Sequence, residues 1–177
     1  MKPKILLHVC CAPCSPYILD RLSKDYTVII YFYNPNIHPH EEYRLRVDET
    51  KKLAEDTKTQ LVIGKEDTQQ WFDLTKGLEN EPERGKRCSV CFEMRLNRSF
   101  QKAKDLSIEN LTTTLTVSPH KNAETINKIG NTLSKKYGIK FLAENFKKQN
   151  GFQETIKAGK KYNFYRQNYC GCVYSRN

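Results

Sequence analysis

The run Ile5-Leu6-Leu7-His8-Val9, followed directly by Cys10-Cys11-Ala12-Pro13-Cys14-Ser15, decides the architecture of this chain. Five residues with one polar member read as a strand buried on both faces, the pattern of a parallel sheet. Ser15–Lys24 then carries Tyr17, Ile18 and Leu22 on one side of a helix. The alternation continues with strand Thr27–Tyr33, stopped by Asn34-Pro35-Asn36, a helix over 40–57, and strand Gln60–Ile63. A short helix Glu66–Leu78 and a longer one Ser89–Asp105 precede strand Leu111–Val117. Helix Asn122–Tyr137, with Gly138 as its cap, leads to a last short strand, Lys140–Leu142. From Asn150 the tail reads as helical, then aromatic and irregular. Strands alternating with helices predict a single α/β domain over 1–177, with a mainly parallel sheet flanked by helices.

The bulk numbers narrow the function classes. A chain of 177 residues, 38% apolar and 28% charged, reads as globular rather than disordered. Its basic opening carries too short an apolar stretch for a signal peptide, and no run is long enough to cross a bilayer. A cytoplasmic protein without a membrane partner is expected. Residues 1–83 hold 11 basic against 14 acidic residues, a balance of −3, whereas 84–177 hold 19 against 6, a balance of +13. Such asymmetry favours a polyanion, and nucleic acid above membrane, because each neutralised phosphate releases counterions.

Seven cysteines cannot all pair, and without a secretory signal their clustering points to metal or redox chemistry. They fall into three groups: Cys10-Cys11-x-x-Cys14, Cys88-x-x-Cys91 and Cys170-Gly171-Cys172. The first lies past a strand and opens a helix, where backbone N–H groups favour thiolates and open α/β sheets hold ligands. Cys88 and Cys91 also open a helix, so one turn brings both sulfurs to one centre. Two CxxC pairs formally supply a zinc site, but zinc leaves Cys10, Cys170 and Cys172 unused. An iron–sulfur cluster uses the same thiolates and leaves neighbours free to hold a second iron or relay electrons. Buried cysteines with a separate redox disulfide are the third reading. No GxGxxG loop provides for a nicotinamide or flavin, so a cluster is the available electron carrier.

Taken together, His8-Val-Cys10-Cys11-Ala-Pro-Cys14-Ser, Tyr31-Phe-Tyr33-Asn34-Pro-Asn36, Arg87-Cys88-x-x-Cys91-Phe-x-x-Arg95-Leu96, Ser118-Pro-His120-Lys-Asn122 and Tyr165-Arg166-Gln167-x-Tyr169-Cys170-Gly-Cys172 resemble the QueH-type epoxyqueuosine reductases. The resemblance implies reduction of the epoxide of epoxyqueuosine in tRNA to queuosine; the cysteine chemistry supplies the expectation of a 4Fe-4S cluster, with room for a second iron, and the two-electron reaction requires an electron donor. The resemblance also implies a Rossmann-like fold similar to the adenine nucleotide α-hydrolase and PP-loop group. Here Cys10–Ser15 stands where that group carries a Ser-Gly-Gly-x-Asp-Ser phosphate loop, which speaks against ATP. Asn145 departs from the acid expected before Phe146-Lys147. A cluster-dependent tRNA thiolase and a zinc-stabilised RNA-binding module are the rival readings.

The expected cluster ligands are Cys10, Cys11, Cys88 and Cys91. Cys170 and Cys172 complete the cluster, bind a second iron or relay electrons, whereas Cys14 points into helix packing. His120 is the candidate for substrate contact or proton donation, and Tyr165 and Arg166 for positioning beside Cys170. Tyr33 and Asn34 are candidates for stacking on a flipped nucleoside, against a role in core and turn. Arg87, Arg95, Lys147 and Lys148 are candidate phosphate contacts. His8 reads as a satisfied core histidine, and Arg98 as part of a solvated helix face.

Overall fold

A computed structural model describes residues 1–176. Five strands form one parallel sheet in the order β3-β2-β1-β4-β5: β1 (Lys4–Val9), β2 (Thr27–Phe32), β3 (Gln60–Ile63), β4 (Asn110–Thr113) and β5 (Lys140–Phe141). The helices are α1 (Pro16–Ser23), α2 (His40–Asp56), α3 (Thr68–Thr75), α4 (Lys86–Asp105), α5 (Ala123–Tyr137) and α6 (Gly151–Lys161). The buried alternation of β1 sorts them into layers. Leu6 packs with Trp71 of α3, Phe92, Leu96 and Phe100 of α4, and Ile126 of α5. Ile5, Leu7 and Val9 face the other way, onto Ile18 and Leu22 of α1 and Leu53 of α2. Among the described residues no helix is long and apolar enough to cross a membrane.

Local chemistry sets the element ends. Asn122 caps α5 by accepting from the Glu124 and Thr125 amides, and Gly138 ends it in the left-handed region at φ 68°. The expected strand Leu111–Val117 is cut short. Thr113 Oγ1 accepts from the Leu115 amide at 3.2 Å, turning Thr114–Val117 into a 3-10 turn despite its β-favouring composition. α4 begins at Lys86, three residues before the expected Ser89.

With β1 central, the chain runs outward to β2 and β3 on one side and then crosses to β4 and β5 on the other. The crevice beyond the carboxyl ends of β1 and β4 is the switch point at which such sheets hold ligands. Cys10 and Cys11 sit there.

Candidate metal centre

The first group is built by the turn that follows β1. A 3-10 turn over Ala12–Cys14 folds the chain back, so the ligand atoms of Cys10, Cys11 and Cys14 all lie within 4.8 Å of one another. Cys10 Sγ stands 3.6 Å from Cys11 Sγ. Thr114, beyond β4, accepts from the Cys10 amide at 3.2 Å and donates to Cys10 Sγ at 3.5 Å. Hydrogen bonds from Cys11 and Cys14 hold the Cys10 thiol well below its ordinary value despite burial. The partners move up, Cys11 to about 12, because each is bonded to Cys10. Within the triad, Cys10 is the thiol most readily deprotonated. Cys14, expected in helix packing, belongs to this group.

Cys88, Cys91, Cys170 and Cys172 line a second, smaller cavity with Trp71 and Arg87. α4 supplies the first pair one turn apart, and the Arg84 amide donates to Cys88 Sγ at 3.3 Å. The second pair comes from the irregular tail, which is clamped by Arg46 of α2. Its Nη1 donates to the Cys170 carbonyl at 3.0 Å and its Nη2 to that of Tyr169 at 3.2 Å. Glu42 orients this guanidinium at 2.7 Å. Between the two cysteines Gly171 adopts φ 104°, and an added Cβ would lie 2.9 Å from Ile37 and 3.0 Å from Arg46. Burial pushes the Cys88 and Cys91 thiols up, and that of Cys172 to about 11.

Of the expected ligands, Cys10 and Cys11 group with Cys14, and Cys88 and Cys91 line a cavity with Cys170 and Cys172. Among the described residues the only three or more ligand atoms within 4.8 Å of one another are those of Cys10, Cys11 and Cys14.

The charges around both groups are one-sided. Arg95, 1% exposed, donates to Asn34 Oδ1, while its Nε has no partner. Arg87, 2% exposed, spends Nη1 on the carbonyls of Leu78, Glu79 and Glu81 and packs on Tyr174, and its Nε is also unpartnered. Neither forms an ion pair with a carboxylate among the described residues. Trp71 Nε1, buried beside Cys91, is a third orphaned donor. Arg87 and Arg95, the expected phosphate contacts, both lie on the buried face of α4, eight residues apart on one stripe with Cys91 midway.

A larger cavity of about 320 Å³ opens over the triad at the switch point. Its lining includes Cys10, Cys14, Cys170, Lys121, His120 and Arg166. His120 is exposed and borders both cavities; its carbonyl accepts from Arg84 at 3.1 Å. Tyr165 lies outside the cavity, its hydroxyl donating to Glu42 at 3.1 Å. Lys147 donates to the carbonyls of Lys121 and Ser118 at 2.7 and 3.4 Å, bracing that loop, and Lys148 is exposed. Tyr33 is buried, with its hydroxyl donating to Asp67 at 2.9 Å, and Asn34 donates to the Val9 carbonyl at 2.9 Å. Both are core and turn. Glu144, beside Asn145, pairs with Arg21 at 3.2 Å on α1. Asn36, Arg46, Trp71 and Lys121 carried no assigned role in the sequence; Asn36, inside Tyr33-Asn34-Pro-Asn36, and Lys121, inside Ser118-Pro-His120-Lys-Asn122, left a signal there.

Fold and site define a parallel α/β protein whose switch-point crevice is ringed by thiols where nucleotide-binding relatives of the fold carry a phosphate loop. The family description "Epoxyqueuosine reductase QueH" matches residues 5–177. The chain is 42% identical to epoxyqueuosine reductase QueH of Streptococcus pyogenes serotype M1, over 99% of this chain and 71% of that protein. It is 38% identical to the Thermotoga maritima protein of the same name, over 97% of this chain and 89% of that one. The chain belongs to the epoxyqueuosine reductase QueH family and is an oxidoreductase. In fold it also matches the U34-tRNA thiolase NcsA from Methanococcus maripaludis, solved with its [4Fe-4S] cluster. That match has a TM-score of 0.62 at 12% identity and covers 99% of this chain and 62% of the thiolase.

Proposed function

We propose that this chain reduces the epoxide of epoxyqueuosine in tRNA, holding a 4Fe-4S cluster on Cys88, Cys91, Cys170 and Cys172 and a single iron on Cys10, Cys11 and Cys14. The observation that carries the reading is the pair of buried guanidiniums, Arg87 and Arg95, with no carboxylate partner among the described residues. An unpaired buried cation is costly, so its counter-charge is the bound anionic thiolate–metal assembly. The division follows from spacing. Thiolates about 2.3 Å from one tetrahedral metal sit roughly 3.8 Å apart, which suits the triad with its 3.6 Å contact. No three of the other four sulfurs come within 4.8 Å, which suits a multi-atom cluster.

Reduction of the epoxide consumes two electrons and two protons, breaks both C–O bonds, and releases an alkene and water. When bound, the metal groups supply one-electron transfer and Lewis acidity; a low-potential external donor supplies the electrons. The chain's own residues shape the rest. Lys121 and Arg166 set a positive field in the crevice, and His120 stands at its mouth as the proton source for the departing oxygen. The excess of basic residues in 84–177 serves the tRNA backbone.

The test is iron and acid-labile sulfide content after anaerobic reconstitution, paired with nucleoside mass spectrometry of tRNA incubated with a strong reductant. Cys14→Ala is expected to lose about one iron and keep its sulfide, whereas Cys88→Ala loses the sulfide. Stoichiometric zinc persisting after reconstitution, or unconverted epoxide with an intact cluster, overturns the reading.

A further inference from the structure

Asn34 and Asn36 lie two residues apart in one turn, and their carboxamides behave differently. Asn34 is used at both ends, Nδ2 on the Val9 carbonyl and Oδ1 on Arg95. Asn36 is equally buried, at 1% exposure, yet its Oδ1 has no hydrogen-bond partner. A buried acceptor left unpaired costs roughly 1–3 kcal/mol. Asn36 lines the triad cavity and the four-cysteine cavity alike, a position it shares with Glu83, His120, Lys121 and Cys170. It is the most deeply buried side chain of that junction.

Lys121 faces the same junction from the other half of the sheet. Its loop is braced: Lys147 donates to its carbonyl at 2.7 Å, and Arg84 donates to the carbonyls of His120 and Pro119 at 3.1 and 3.0 Å. Among the described residues its ammonium pairs with no carboxylate. A side chain with an unpartnered acceptor and an ammonium without a carboxylate therefore line one space. The acceptor disfavours a phosphate, which offers only further acceptors, and selects a ligand with both an O–H and an acceptor oxygen.

We infer that Asn36 and Lys121 position the oxygen-bearing ring of the substrate between the two cysteine groups, Asn36 accepting from a ring hydroxyl and Lys121 donating to a ring oxygen. This rests on the function proposed above and assigns the polar contacts that hold the ring in register with the sulfurs.

The experiment is equilibrium binding of the loaded protein, under anaerobic conditions, to two tRNAs: one carrying epoxyqueuosine, the other guanine at that position. The wild-type protein prefers the first. Asn36→Ala weakens that binding by about tenfold, the equivalent of one hydrogen bond, and leaves the second unchanged. Steady-state turnover then shows a raised KM and a lowered kcat, and iron and sulfide content stay at wild-type levels. Asn36→Asp keeps the acceptor and stays within about threefold. An equal loss for both tRNAs, no loss for either, or an Asn36→Asp as weak as Asn36→Ala overturns the assignment. Should Asn36→Ala not fold, Lys121→Gln in the same assay decides by the same criteria. Wild-type protein that prefers the modified tRNA but does not reduce it refutes the proposed reaction, and the binding comparison still decides on Asn36.

Discussion

Replacing Arg95 with methionine separates two roles that a buried cation can play. If the guanidinium were only a packing element, its loss would weaken the protein equally with and without metal. The structure predicts otherwise. In the metal-free protein the substitution leaves Asn34 Oδ1 without its donor, which costs about 1–3 kcal/mol. Removing a cation that is 1% exposed relieves desolvation of similar size, while the nearby thiols take up protons and neutralise. The net change there is about 1 kcal/mol or less. In the loaded protein the thiolates cannot take up protons, and removing one side of a buried charge pairing costs about 3–5 kcal/mol. The difference between the two states is therefore about 2–4 kcal/mol. Urea unfolding under anaerobic conditions, on apo and reconstituted protein in parallel, reads it as a midpoint shift of about 1–2 M confined to the loaded form. Equal shifts in both forms, or a larger one in the apo form, would refute the claim that Arg95 answers the charge of the metal centre.

His8 supplies a pH test. Burial, then the Arg95 charge, lowers its pKa from 6.5 to about 3, so the unfolded chain takes the proton first as the pH falls. The stability of the metal-free protein should decline from about pH 6.5 downward, by at most about 1.4 kcal/mol per pH unit from this group. His8→Gln should flatten that slope in denaturant titrations across pH 4–7. Gly130→Ala gains about 1 kcal/mol of helix propensity, but its Cβ would lie 2.2 Å from the Phe141 ring. A net loss of about 1–2 kcal/mol is expected from overpacking, read as a lowered Tm. Phe141→Leu in the same chain should restore part of it.

The sheet and most helices were legible because their signals are local: the apolar run of β1, the β-branched run of β2, the cap Asn122 and the stop Gly138. Leu111–Val117 misled because Thr113, Thr114 and Thr116 are strand formers by composition, while the Thr113 hydroxyl accepts from the Leu115 amide two residues on and ends the strand. The three groups of cysteines were legible, but not the place of Cys14 in the first. Sequence spacing joins Cys11–Cys14 to Cys88–Cys91 as two similar pairs, whereas the 3-10 turn closes Cys14 onto Cys10, and Arg46 brings the tail to Cys88 and Cys91. Arg87 and Arg95 looked like surface phosphate grips because arginine composition carries no sign of burial. The sign was their spacing with Cys91 on one helical stripe. His8 was read correctly, with Nε2 donating to the Tyr33 carbonyl and Nδ1 accepting from Thr113 at 3.1 and 2.8 Å.

The Arg46 clamp has a consequence in time. A chain grows from its amino end, so the triad thiols leave the ribosome well before the tail that Arg46 holds. Until Cys170 and Cys172 have emerged and their carbonyls have been captured, the pair on α4 lacks its counterparts. In the proposed ligand set, the centre on Cys88, Cys91, Cys170 and Cys172 is therefore completed only after the tail has been made and captured. A single guanidinium on α2 holds the segment on which that completion depends.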